Sequence, residues 1–314
     1  MATGQDGESK LRTCKWQGVP QRTYGVQANV AGLPPRTVVV VAILAPSAFL
    51  VTMLAVPILM RYLRAAGITG KDLHKADRPA IAEMGGLAIV FGFVVGVLLA
   101  VGMLSFLRWF RDVDLAALLA SLSAILMAGL IGLLDDLFDI QQGVKAVLPV
   151  LAAVPLMAIR AGDTAMTLPV LGPIDVWIFY PLLIIPSAFT VAANAVNMLA
   201  GFNGLEIGLG VVSIGSLSII AWQLGETSAL VLLLSGLGAL LAMIPFNWFP
   251  AKVFVGDVGT LTIGAIIAAA VIIGDFEVAG MILLLPYGID FAFKAAHRFP
   301  SSGWGGVLLS LIHI

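Results

Sequence analysis

Long apolar runs follow one another from residue 37 to residue 296, and they decide what this chain can fold into. They fall at about 37–60, 84–107, 114–134, 146–161, 177–198, 207–223, 228–245, 258–274 and 279–296. Most approach the roughly 20 residues an α-helix needs to cross a bilayer. In lipid every backbone N–H and C=O must be paired within the protein, which leaves helices or a closed barrel. Barrel strands alternate apolar and polar residues, whereas these runs are continuously apolar. The expectation is an all-α polytopic membrane protein with about nine transmembrane helices. The run at 146–161 is short and holds Pro149 and Pro155, so it must tilt, kink or sit against thinned bilayer.

Composition excludes the alternatives. The 314 residues are 60% hydrophobic and 11% charged, against about 25% charged in a soluble domain. So few charges cannot cover a water-facing surface, which rules out an ordinary soluble enzyme, a disordered chain and a nucleic-acid binder. The net charge of -1 says nothing about partners. A single cysteine, Cys14, excludes an internal disulfide framework. His74, His297 and His313 are too scattered for a zinc site. Residues 1–36 read as a polar, disordered tail without signal-peptide features. Residues 37–300 read as one transmembrane domain, and 301–314 as a truncated end, because the apolar stretch from Val307 to Ile314 is too short to span.

Threading the runs alternately separates the polar loops onto two sides. One side carries Arg61, Arg64, Lys71, Lys75, Arg78, Lys145, Lys252 and Arg298, with Lys294 at its edge. The other has Arg108 and Arg111, with Arg160 at its edge. The positive-inside rule makes the first side cytoplasmic. The amino-terminal tail conflicts with this, since it carries Lys10, Arg12, Lys15, Arg22 and Arg36 yet falls outside; the internal loops outvote it.

The distinctive polar clusters fall on that same side. Asp135, Asp136 and Asp139 close an apolar helix, where the macrodipole disfavours anions. Mutual repulsion calls for a cation, either Mg²⁺ or Lys145; the plainer reading is a solvated helix end. Asn194 and Asn197 lie one turn apart in an apolar run, followed by Gly201, Asn203, Gly204 and Glu206. Amides offer neutral oxygen ligands and donors for a sugar or uracil edge, or simply bond between helices. Asp257, between Gly256 and Gly259 and near Asn247 and Lys252, opens the next apolar helix, where it either caps the helix or holds a metal. His297 and Arg298 suit a phosphate clamp or a basic flank. Lys75, Asp77, Arg78 and Glu83 before Gly85 and Gly86 suit a phosphate headgroup, although a polybasic flank is the ordinary reading. Acids, cations and amides facing one membrane-edge cavity suit a Mg²⁺-bound diphosphate, because Mg²⁺ takes one or two carboxylates plus substrate phosphates.

These clusters, in this order, resemble the polyprenyl-phosphate N-acetylhexosamine-1-phosphate transferases, grouped as glycosyltransferase family 4. The resemblance runs from about Lys71 to Pro300 and is sharpest in the block from Asn197 to Glu206 and that from Asn247 to Asp257. It favours the dolichol-type branch over the muramoyl-pentapeptide branch. The resemblance implies about ten spans, of which nine are present, and a cytoplasmic active site. It implies that Asn197 and Asp257 hold Mg²⁺ (or Mn²⁺), and that Lys145 contacts the diphosphate. His297 and Arg298 would contact phosphates and sugar, and Glu83 would lie near the acceptor. Asp135 and Asp136 match the family's aspartate pair, as base or as support. Asn194, Asn203, Glu206 and Lys252 join the substrate-binding set. A further basic residue expected soon after His297 and Arg298 is absent, since Ser301 and Ser302 follow Pro300.

The implied reaction moves GlcNAc-1-phosphate from UDP-GlcNAc to a membrane polyprenyl phosphate and releases UMP. Partners would be the UDP-sugar donor, the lipid acceptor and the bilayer; the family's habit implies a homodimer, which the residues themselves do not establish. The alternatives are another UDP-N-acetylhexosamine or UDP-MurNAc-pentapeptide as donor, a truncated inactive homologue, or a transporter. A transporter predicts polar residues near mid-span and two similar halves; here the polar clusters sit at helix ends.

Overall fold

The protein is represented by a computed structural model that describes residues 35–72, 79–107, 113–168, 172–199 and 201–296. The expectations for the tail up to residue 34, for Lys75, Asp77 and Arg78, for His297 and Arg298, and for 301–314 lie outside these residues.

The long helices follow the apolar runs. They are α1 (Pro35–Ala65), α2 (Gly86–Gly102, extended by a π-helical turn Met103–Leu107) and α3 (Leu115–Phe138). The short α4 (Gln142–Val147), α5 (Pro149–Ala152) and α6 (Val154–Ala158) come next. Then follow α7 (Ile185–Leu199, preceded by a π-helical turn Tyr180–Ile184), α8 (Leu205–Leu224), α9 (Thr227–Asn247), α10 (Gly256–Gly274) and α11 (Glu277–Ala296). Seven of them are long and apolar enough to cross a membrane, which makes this a multi-pass integral membrane protein. The short run expected at 146–161 is the region of α4 to α6. It is broken where Pro149 and Pro155 each open a new helix, because proline lacks the N–H that a continuing helix needs. The ninth run is α11, which carries Glu277, Asp290 and Lys294.

Helix ends are written in the residues. At the end of α1, Gly67 adopts φ +76°, the Gly67 N–H donates to Arg64 O at 3.1 Å, and the Ile68 N–H donates to Leu63 O at 2.9 Å. This is the Schellman closure, which satisfies carbonyls left over at a helix end. Asp114 caps α3 by accepting from the Ala117 N–H at 3.1 Å.

α10 is the most enclosed span, with 89% of its apolar window buried. Small residues make this possible, since membrane helices associate by close packing rather than by escape from water. A Cβ on Gly86 of α2 would collide with the Gly259 backbone. A Cβ on Gly132 of α3 would meet the Asp257 carbonyl, and would lie 2.6 Å from Val258 Cα. Gly132 precedes Asp136 by one turn, so this close approach lays the end of α3 against the start of α10.

Two short antiparallel hairpins were not expected. β1 (Thr69–Lys71) pairs with β2 (Ala80–Ala82) in the register Thr69 to Ala82. β3 (Ala165–Leu168) pairs with β4 (Gly172–Asp175) in the register Ala165 to Asp175. The first hairpin matters for the site. Ala82 bridges Val253, and the Phe254 N–H donates to Ala82 O at 2.8 Å. The Gly85 and Gly86 N–H groups then donate to Phe254 O and Val255 O at 2.8 and 2.7 Å. The loop leading into Asp257 is thereby stitched to the loop leading into α2.

Candidate active site

Four helices deliver the centre of the polar cluster at one end of the bundle. Lys145 of α4 places its ammonium between Asp135 of α3 and Asp257 of α10 and pairs with both. Lys145 thus supplies one of the two cations expected at the acidic helix end. It is 9% exposed and Asp135 is 7% exposed, so neither charge is neutralised by bulk water. The Asp135 carboxylate also accepts from the Ile140 N–H at 2.9 Å as the chain leaves α3. Asp139 closes that helix with φ +51° and is exposed; it does not join the cluster.

Asp136 does something different. Its Oδ1 accepts from the Asp257 N–H at 2.7 Å and its Oδ2 from the Val258 N–H at 3.0 Å. The first N–H groups of a helix have no intrahelical acceptor, and Asp136 supplies one from another helix. Gly256 leaves room for it: a Cβ there would come within 2.7 Å of Asp136 Oδ2 and 3.1 Å of Met84 Cα.

Asn197, at the end of α7, faces the same centre. Thr260 Oγ1 donates to its Oδ1 at 3.0 Å, and that oxygen lies 2.8 Å from Asp257 Oδ1. With the amide turned over, its nitrogen donates to Thr260 Oγ1 and to Asp257 Oδ1, and its oxygen accepts from Lys145 Nζ at 3.1 Å. Unturned, two oxygens face each other, a contact relieved either by turning the amide or by a cation between them. A Mg²⁺ with ligand bonds of about 2.1 Å at right angles sets neighbouring oxygens about 3 Å apart. In the unturned orientation the Asn197 and Asp257 oxygens have the chemistry and spacing with which two residues could hold Mg²⁺.

The other expected residues are arranged around this centre. Glu83 is half-buried beside Gly70, whose Cβ would lie 3.1 Å from Glu83 Oε2 and 3.3 Å from the Phe254 ring. Burial raises the Glu83 carboxyl above its ordinary 4.5. Asn203 donates to Asp72 Oδ2 at 3.2 Å, and Glu206 is buried in the first turn of α8, with no hydrogen-bond partner for Oε2 among the described residues. Asn194 donates to Ala146 O at 3.0 Å and to Thr190 O at 2.9 Å. That is the interhelical reading of this amide: it ties α7 to the residue after Lys145. Lys252 is exposed, and with Trp248, Phe249 and Pro250 it lines an open groove. Its carbonyl accepts from Arg64 Nη2 at 3.1 Å.

Three residues were not singled out from the sequence. Thr260 holds Asn197. Asp72, 1% exposed, holds Asn203. Asn247, fully buried, accepts from the Gly204 N–H at 3.0 Å and donates to Val253 O at 3.1 Å, joining the Asn203–Glu206 turn to the loop before Asp257. Asn247 opens the Asn247–Asp257 block that carries the family resemblance, but nothing in that block assigned it a role.

The opposite end has its own polar contacts. Tyr180 Oη donates to Glu277 Oε1 at 2.5 Å, and the Asp163 N–H donates to Asp275 Oδ1 at 2.5 Å. No described contact links these groups to the Lys145 cluster.

Fold and site together define a class: a helical multi-pass membrane protein with a lysine, carboxylate and amide centre at one end of its bundle. The chain belongs to glycosyl transferase family 4, whose model matches residues 118–275. A Saccharolobus solfataricus protein provisionally named UDP-N-acetylglucosamine–dolichyl-phosphate N-acetylglucosaminephosphotransferase is 38% identical over 85% of this chain and 82% of its own. A Dictyostelium discoideum protein of that name is 29% identical over 80% of this chain and 70% of its own. A phospho-N-acetylmuramoyl-pentapeptide-transferase of Limosilactobacillus reuteri is 30% identical over 82% of this chain and 88% of its own.

Proposed function

We propose that the protein transfers GlcNAc-1-phosphate from UDP-GlcNAc to a dolichyl-type polyprenyl phosphate, releasing UMP, in a Mg²⁺-dependent reaction at the cytoplasmic face. The observation that carries this is the convergence of Lys145, Asp257 and Asn197 at helix ends. The name borne by the Saccharolobus relative gives the donor and acceptor. The cytoplasmic placement rests on Arg61, Arg64, Lys71, Lys145 and Lys252 flanking the spans at the site's end.

In the proposed step an acceptor phosphate oxygen attacks the sugar-bearing phosphorus, and the bond from that phosphorus to the UMP oxygen breaks. Phosphoryl transfer is mainly positioning and neutralisation of charge. A phosphate monoester with a second pKa of about 6 is already largely dianionic at pH 7, so no general base is required. Asp135 is paired with Lys145, and Asp136 is bound to backbone N–H groups. Both therefore act as positioning groups. Lys145, 9% exposed, sets a fixed positive charge beside the phosphates and away from bulk water, where such a charge is most effective. Asn197 and Asp257 would hold Mg²⁺, which supplies Lewis-acid stabilisation of the phosphoryl oxygens when bound.

The test uses the purified chain in lipid–detergent micelles with UDP-GlcNAc and a short polyprenyl phosphate. The expected result is equimolar UMP and lipid-linked GlcNAc, abolished by EDTA and restored by Mg²⁺. Absence of both products at every Mg²⁺ concentration overturns the reading. Faster turnover of UDP-GalNAc or UDP-MurNAc-pentapeptide overturns the choice of donor.

A further inference from the structure

Lys294 lies near the end of α11 and is 4% exposed. Its ammonium lies 2.6 Å from Asp290 Oδ2, one turn back on the same helix, and donates to the backbone carbonyl of Met198 on α7. Met198 follows Asn197 in the last turn of α7. The final carbonyls of a helix have no donor of their own, and a cation is favoured there by the macrodipole. The end of α7 is thus held from two directions: α10 grips the Asn197 amide through Thr260, and α11 grips the adjoining carbonyl through Lys294.

A buried ion pair is weak evidence for stability, because desolvation offsets the attraction and apolar residues of similar size often serve as well. α11 is not among the seven described helices long and apolar enough to cross a membrane, yet Lys294 is buried there. Lys294 and Asp290 sit in a helix that also buries Tyr287. What apolar replacements could not supply is a donor aimed at the Met198 carbonyl. Side chains of successive helical residues point about 100° apart, so any rotation of α7 swings Asn197 away from Asp257.

We propose that Lys294, steadied by Asp290, is a positioning residue: it sets the end of α7 and so holds the Asn197 amide against Asp257. The inference rests on the reading that Asn197 and Asp257 form the metal-binding part of the site.

The test compares the full-length wild type with Lys294→Met/Asp290→Leu, Lys294→Arg and Asp290→Asn. Removing both charges cures a merely structural defect, since no unpaired buried charge remains, but does not restore the donor. The double variant is expected to unfold near the wild-type midpoint yet bind Mn²⁺, read by electron paramagnetic resonance, about tenfold more weakly, as when an outer-shell partner of a ligand is lost. Hydrogen exchange should rise in peptides spanning 194–205 and stay unchanged in α10. Lys294→Arg keeps a donor and should restore both readouts. Wild-type Mn²⁺ affinity and exchange in the double variant overturn the proposal. If that variant does not fold, Asp290→Asn decides: a weakened hold on Mn²⁺ with faster exchange at 194–205 supports it, and wild-type values of both overturn it. Loss of UMP release in the wild type itself would strike the proposed reaction instead, leaving the exchange result to judge the placement of α7.

Discussion

Asp136 and Asp257 are joined through the backbone: the carboxylate of the first accepts the N–H of the second at 2.7 Å, and its other oxygen takes the next N–H along α10. The two aspartates therefore have complementary work. One fixes where α10 begins, and the other stands on that first turn facing Lys145.

Asp136→Ala leaves two N–H groups of α10 without their acceptor. Each orphaned buried donor costs about 1–3 kcal/mol, so the thermal unfolding midpoint should fall clearly, with activity falling alongside. Asp136→Asn keeps one acceptor oxygen and should lose roughly half as much. Equal midpoints for Asp136→Ala and wild type would remove the capping role.

Lys145→Met leaves Asp135 and Asp257 facing each other without their shared cation. Breaking a buried pair by removing one partner costs about 3–5 kcal/mol. Turnover should drop about 10²–10³-fold, as when a charge-stabilising group is deleted. UMP release at saturating UDP-GlcNAc, in preparations matched for folded protein, gives the comparison; a drop below threefold would exclude Lys145 from charge neutralisation.

Thr260→Val keeps the volume of the side chain and deletes the hydroxyl that touches Asn197 Oδ1. The Mg²⁺ concentration for half-maximal rate should rise about tenfold, in line with losses of outer-shell partners, with little change in KM for the polyprenyl phosphate. A Mg²⁺ titration that overlays the wild type would show that Asn197 needs no such support.

Burial holds the Glu83 carboxyl above 4.5 in the folded protein, so the fold binds its proton more tightly than the unfolded chain does. Its contribution is favourable in acid and is lost as pH rises from the unfolded value through the raised folded one. Glu83→Gln mimics the neutral form. The variant should therefore gain stability relative to wild type as pH rises above 4.5, levelling once Glu83 has ionised. Thermal midpoints of the two proteins across pH 4 to 8 test this, and a constant difference would show that Glu83 is as well solvated folded as unfolded.

The spans were legible because lipid imposes continuous apolar runs, and their breaks because Pro149 and Pro155 cannot donate a backbone N–H. The gathering of Asp135, Lys145, Asn197 and Asp257 at one end followed from alternate threading. The division of labour between Asp135 and Asp136 was not legible. Adjacent residues on a helix point in different directions, and the N–H groups that Asp136 meets belong to residues 121 and 122 places along the chain. Thr260 was hidden because a threonine in an apolar helix ordinarily bonds its own preceding turn, as Thr262 does to Val258 O at 2.6 Å. The β1–β2 hairpin was missed because three-residue strands show no period.

α10 is gripped at both ends: Asp136 receives its first N–H groups, and Asp275, which closes it, takes the N–H of Asp163. Held at both tips and with 89% of its apolar window buried, α10 is the most constrained of the candidate spans. Under the proposed reaction Asp257 would then serve as the fixed reference, and any travel that admits substrate would fall on the segments packed around α10.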